Sequence, residues 1–110
     1  MSDELNLIDT NVRIYAGFER SISINYNTWK FNKGESRSVT ADKVGNETAK
    51  LHWMCARYVY SAMFAALPRI RRVVGERPDI VAQMDLVEWE VKDALTEVDV
   101  QLEKLRGTVA

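Results

Sequence analysis

The chain has 110 residues, of which 46% are apolar and 28% are charged, and its formal net charge is −1. This length supports one hydrophobic core, so we expect a single domain over residues 1–110, and the composition excludes the class of disordered chains. Cys55 is the only cysteine, which excludes an intrachain disulfide. Together with an acidic start that lacks the pattern of an export signal, this predicts a cytoplasmic protein.

The first predicted element is a flexible acidic tail over residues 1–10, because residues 1–9 carry three acids and no base. Residues 10–75 then carry eleven bases and four acids, whereas residues 76–110 carry nine acids and four bases. The basic middle segment either attracts an anion or pairs with acids of the fold or of a second subunit.

An antiparallel β-meander of two to four strands is predicted over residues 11–40. Apolar residues occupy the even positions from Val12 to Tyr26 except Arg20, a period of two that is typical of a half-buried strand. A bend or turn is possible at residues 17–20 because the strand is long. The apolar positions become odd after Tyr26, which favours a turn at residues 25–28. Gly34 predicts a second turn at residues 32–35, followed by a short strand at 36–40.

A central helix is predicted over residues 46–74, with Asn46 as its N-terminal cap and an earlier start near residues 40–42 as the alternative. Its segment from Leu51 to Leu67 is apolar on more than one side, so it needs cover from the sheet and from another helix. We expect a kink at Pro68 and a C-terminal cap at Gly75.

A long amphipathic helix is predicted over residues 78–106. Its core stripe is Ile80, Met84, Val87, Val91, Leu95, Val98, Leu102 and Leu105. This helix is expected to be longer than the central one, and a second subunit is the simplest cover for an overhanging stripe. Leu86, Trp89 and Val100 lie off the main stripe and are the predicted oligomer contacts, so we expect a homo-oligomer, most simply a dimer.

These elements predict an α+β fold in which the meander packs on a two-helix C-terminal unit with a long final helix. A strand followed by two helices resembles the ribbon-helix-helix regulators, whose paired strands enter the major groove. The strand segment here fills residues 11–40 and the helices are longer than in that compact unit. No DNA-contact residue is therefore assigned from the resemblance.

No catalytic constellation is visible in the sequence. His52 and Cys55 are three residues apart, which places them on one side of a helix, but two ligands do not make a zinc site. The acids of the last helix fall on its outward faces, and the glycines are isolated rather than grouped in a phosphate-binding loop. We therefore expect no enzyme, no metal, no cofactor and no small-molecule substrate. Leu51 to Leu67 is too short and too charged for a membrane span.

The most suggestive local feature is the basic group of Arg69, Arg71, Arg72 and Arg77. These side chains are candidates for contacts with nucleic-acid phosphates, to which Trp29, Lys30 and Lys33 would add stacking and charge. The alternative is that the arginines cap helix ends and pair with the acidic helix that follows. The sequence pI of about 5.8 lies below the usual range of nucleic-acid-binding domains.

The favoured function is therefore that of a non-catalytic macromolecular interaction protein that binds a partner protein. Small domains without catalytic motifs are common among bacterial and phage accessory proteins, including inhibitors of host systems, and we expect a role of that kind. The alternative is a nucleic-acid-binding regulator that uses the segment from Arg69 to Arg72.

Overall fold

A computed structural model of the protein describes residues 11–107. Its elements are β1 (Asn11–Ile24), β2 (Asn27–Thr40), a short 3₁₀ helix (Ala41–Lys43), α1 (Val44–Val74) and α2 (Pro78–Gly107). The two strands form one antiparallel sheet, and the helices follow it. The predicted α+β fold is confirmed, with two strands and a long final helix. The predicted acidic tail lies outside the described residues.

The β-hairpin turns at Asn25 and Tyr26, as the change in apolar parity predicts. Both residues have positive φ, 52° and 66°, which is the backbone of the hairpin turn whose twist matches that of the flanking strands. A two-residue turn pairs even positions of β1 with odd positions of β2, so Ile22 lies opposite Trp29. The apolar residues of both strands therefore lie on the same face of the sheet.

Two further breaks predicted within the strands are wrong. β1 and β2 each run for 14 residues without interruption, so there is neither a turn at residues 17–20 nor one at residues 32–35. Gly34 pairs with Gly17 in the middle of the hairpin. A glycine accepts extended backbone as readily as turn backbone, and residues 36–40 are therefore the end of β2 rather than a separate strand.

The start of α1 also differs from the prediction. α1 begins at Val44, so Asn46 lies inside its first turn and is not the cap, and the cap position, Lys43, makes no side-chain capping hydrogen bond. The 3₁₀ helix over Ala41–Lys43 continues directly from β2 into α1. The 3₁₀ turn leads the backbone directly into α1 and takes the place of a side-chain cap. The helical conformation therefore starts near residues 40–42, the earlier of the two predicted starts.

The end of α1 agrees with the prediction. α1 passes through Pro68 and ends at Val74. Because proline has no amide hydrogen, α1 lacks one backbone hydrogen bond there, and the kink itself stays a prediction. Gly75 has a φ of 92°, and its N–H donates to the carbonyl oxygen of Arg71 at 3.3 Å. This is the conformation that only glycine adopts readily at a helix end.

The main buried core joins β1 to both helices. Its members are Ile22, Ile24, Val59, Met63, Ala66, Leu67, Ile70, Val74, Ile80, Met84 and Val91. The sheet covers one side of α1 and α2 covers a second, as predicted. α1 has 31 residues and α2 has 30, so the expectation that α2 is longer and overhangs its neighbour is wrong.

The sheet and α2 cover two sides of α1, and a third side stays uncovered. Met54, Tyr58 and Phe64 are exposed there. The expectation that the whole apolar segment of α1 is shielded therefore holds for two of its sides.

Candidate interaction surfaces

The outer side of α2 carries an exposed apolar stripe, here called the edge stripe, formed by Leu86, Trp89 and Val100. Their exposed fractions are 56%, 63% and 42%. At about 100° per residue, the three side chains lie within about 60° of one another, opposite the buried Met84 and Val98. The residues predicted as oligomer contacts therefore share one face, and that face is open in the monomer.

A line of alternating charges flanks the edge stripe on the side nearer α1. Asp85, Lys92, Asp99 and Arg106 follow one another at intervals of seven residues, which is close to two helical turns. Each side chain is more than half exposed although it has an ionic partner within the chain. Those partners, in the same order, are Arg71, Glu88, Arg57 and Glu103.

Arg71 joins the two helices rather than facing solvent freely. Its Nη2 donates to Asp85 Oδ1 at 3.0 Å and to Glu88 Oε1 at 2.9 Å. The hydrogen bonds from Arg71 and Lys92 hold the pKa of Glu88 below its ordinary value, and the bond to Glu88 raises the pKa of Arg71. The pairing of the basic segment with the acidic helix, which was the alternative to anion binding, is thus seen for Arg71.

Arg77 is engaged in the same way at the start of α2. Its Nε and Nη2 donate to the two carboxylate oxygens of Asp79 at 3.1 and 3.0 Å, a two-bond contact that lowers the pKa of Asp79. Arg69 and Arg72 are exposed on α1. Of the four predicted phosphate contacts, two therefore serve as internal ion pairs and two face solvent.

The predicted sheet residues differ in exposure and in partners. Trp29 is half-buried and packs against the core. Lys33 lies on the same face of the sheet, with its Nζ at 4.7 Å from the ring centroid of Tyr58 and at 3.8 Å from Glu35 Oε1. Lys30 lies on the other face of the sheet and is exposed. A common surface formed by these residues and the four arginines stays a prediction.

A groove runs along the outward side of α1, between β2 and the C-terminal part of α2, with a volume of about 890 Å³. We call it the α1 groove. Met54, Tyr58 and Leu102 supply its apolar lining. Four cations and one acid line it as well, namely Arg37, Lys50, Arg57, Arg106 and Glu47.

Sequence reasoning missed the α1 groove because the apolar segment from Leu51 to Leu67, which includes Tyr58, predicts cover on its apolar sides. Leu51 and Cys55 are buried, whereas Tyr58 is 55% exposed. The available signal was the basic residue Arg57 beside Tyr58, which is unusual on a fully covered face. The groove also needs Arg37 from β2, and local periodicity carries no information about that contact.

His52 and Cys55 form no reactive pair. Cys55 is buried, and its thiol donates to the carbonyl oxygen of Ala16 at 3.9 Å. Burial, followed by the charge of Glu35, raises the pKa of the thiol, which disfavours the nucleophilic thiolate. The His52 ring packs against Phe18. Across residues 11–107, no three histidine, cysteine or acidic side chains are grouped as a metal site.

Neither the helices nor known proteins assign this chain to a class. Among the described residues, neither helix combines the length and apolar character that crossing a bilayer requires. Comparison with protein-family models, curated proteins and solved structures found no match to this chain.

Proposed function

We propose that the protein is a non-catalytic macromolecular interaction protein, which forms a homodimer through the edge stripe and binds a partner protein. The observation that carries the proposal is the exposure of Leu86, Trp89 and Val100 on one face of α2. Leu86 and Trp89 are neighbours on this face, and Val100 lies about 17 Å further along it, beyond Asp93. Exposed apolar side chains that share a helix face are typical of interaction sites, and a tryptophan is a frequent anchor of protein interfaces.

The charges beside the stripe favour a second copy as its occupant. Along the flank the signs alternate as acid, base, acid, base, at Asp85, Lys92, Asp99 and Arg106. When an identical helix lies antiparallel, this order is reversed, so that Asp85 faces Arg106 of the second copy and Lys92 faces its Asp99. All four contacts on this flank then join opposite charges, and Trp89 lies opposite Val100 of the second copy. On the other flank the same register brings Glu90 close to Glu97 of the second copy.

A parallel pair gives a different set of contacts. In parallel helices a flank residue faces the opposite flank about five positions further along the partner. Lys92 would then face Glu97 and Asp99 would face Lys104, whereas Asp85 would face Glu90. Both orders are symmetric about a twofold axis, so a charge exchange has to distinguish them.

Analytical ultracentrifugation of apolar variants tests the role of the stripe. Trp89→Glu replaces the largest apolar side chain of the proposed interface by a charge, and we expect it to weaken self-association by about 100-fold or more. Val73→Glu is the matched control, because Val73 is 60% exposed but belongs to α1. Equal association constants for the two variants would contradict the proposal, provided that circular dichroism shows both to be folded.

A charge exchange tests the antiparallel order. Lys92→Glu alone should weaken the dimer because the new carboxylate would face Asp99 of the second copy, and Asp99→Lys alone should do the same. The double variant restores opposite charges and should recover most of the lost affinity. A double variant that associates no better than the single variants would exclude this arrangement.

The nucleic-acid alternative and the accessory or inhibitory role in bacteria or phages stay predictions. Arg69 and Arg72 are the exposed members of the basic segment, and phosphate binding through them would weaken steeply as salt rises. Titration of labelled DNA and RNA against wild type and Arg69→Ala/Arg72→Ala separates the two functions. Salt-sensitive binding that the double substitution removes would favour the alternative.

A further inference from the structure

The α1 groove is a second apolar surface. Its apolar lining lies apart from the edge stripe, and Arg106 belongs both to the groove and to the charged flank of that stripe. Leu102, which lines the groove, belongs to the inward side of α2, opposite the edge stripe. Met54 and Tyr58 are 45% and 55% exposed. Methionine and tyrosine are adaptable, amphipathic side chains that are frequent at sites of protein recognition.

The charges around this apolar lining are mainly positive. Arg37 and Lys50 share one acid, Glu47, whose carboxylate oxygens lie 3.4 and 3.3 Å from their nitrogens. Arg57 and Arg106 line the groove too. Four cations and one acid favour a ligand with negative charges. The apolar lining favours a ligand that also carries apolar side chains.

The acids outside the groove do not cancel this preference. Arg57 pairs with Asp99 at 3.5 Å and Arg106 pairs with Glu103 at 3.0 Å. All four of these side chains are more than half exposed, and ion pairs in water are weak and easily exchanged. A carboxylate that enters the groove can therefore compete for both arginines.

We propose that the α1 groove binds an acidic amphipathic helix of a partner protein. The inference rests on the proposed function and gives the chemistry of the partner. The lining residues on α1 run from Glu47 to Ala62, which is about 23 Å, or roughly four turns of a docked helix. Leucine-type side chains of the ligand contact Met54, Tyr58 and Leu102, and its carboxylates contact the cations.

Fluorescence polarisation with synthetic helical peptides tests this assignment on the full chain. One labelled peptide places leucines on one face and glutamates elsewhere, the second scrambles that composition, and the third replaces the glutamates by lysines. We expect the first peptide to bind about tenfold more tightly than either of the others, with an affinity that falls as salt is raised.

Tyr58→Ala removes half-exposed apolar lining and should lower the affinity for the acidic amphipathic peptide by about tenfold. Tyr15→Ala is the matched control, because Tyr15 is a 71% exposed tyrosine on the outer face of the sheet. Equal affinities of the two variants would overturn the assignment, and so would equal binding of the scrambled or the lysine peptide.

Two competing occupants are distinguished in the same assay. If deletion of residues 1–9, which carry Asp3, Glu4 and Asp9, raises peptide affinity by about tenfold, the protein's own N-terminal segment fills the groove and the partner assignment fails. Displacement of the peptide by duplex DNA would also overturn it. Unchanged peptide affinity in Trp89→Glu would support the groove independently of self-association, so failures of the two proposals are distinguishable.

Discussion

At the scale of single residues, the arginines show how one charge pattern divides between structure and surface. Arg71 bonds two acids of α2 and Arg77 bonds Asp79, whereas Arg69 and Arg72 remain in solvent. The sequence alone does not distinguish these roles, because the partners of Arg71 are 14 and 17 residues away. The contacts depend on how α2 folds back along α1.

The lowered pKa of Glu88 predicts a pH dependence of stability. Its contribution is complete above the unfolded-state pKa of about 4.3 and is lost as the pH falls through the lower folded-state pKa. We expect Arg71→Gln to lower the urea midpoint at neutral pH and to lose less stability than wild type on acidification. Arg72→Gln is the control on the exposed side of α1. An Arg71→Gln variant with the acid sensitivity of wild type would contradict this role.

At the scale of elements, periodicity predicts most of the architecture. The change of apolar parity across Tyr26 places the hairpin turn correctly, and the stripe from Ile80 to Leu105 places α2. Gly34 is misread because its partner, Gly17, is distant in sequence. The cap at Asn46 is misread because the preceding 3₁₀ helix already leads the backbone into α1.

The hairpin turn provides a prediction about the strands. Tyr26 has a φ of 66° and is fully exposed, so its side chain gains no packing for an unfavourable backbone conformation. Glycine removes that strain but raises the conformational entropy of the unfolded chain, which offsets part of the gain. We therefore expect Tyr26→Gly to stabilise the protein by about 0.5 kcal/mol. Tyr15→Gly, in an ordinary strand position, should destabilise it. Denaturation midpoints measure both effects, and destabilisation by Tyr26→Gly would contradict the account.

At the scale of the whole molecule, the limited cover that the hairpin and α2 give explains why the edge stripe and the α1 groove are exposed. The hairpin and α2 each cover part of α1, so the outer side of α2 and the third side of α1 stay open. Leu86, Trp89 and Val100 could be identified from the sequence because they fall off the core stripe. The α1 groove could not, because β2, α1 and α2 all contribute to it.

Self-association through α2 is the claim on which the proposed function depends most directly. Light scattering coupled to size-exclusion chromatography measures the mass of the untagged full chain without reference to any partner. At about 100 μM, the account predicts twice the chain mass of 12.6 kDa for wild type and for Val73→Glu, and a single chain mass for Trp89→Glu. A wild-type mass of 12.6 kDa at that concentration would contradict it.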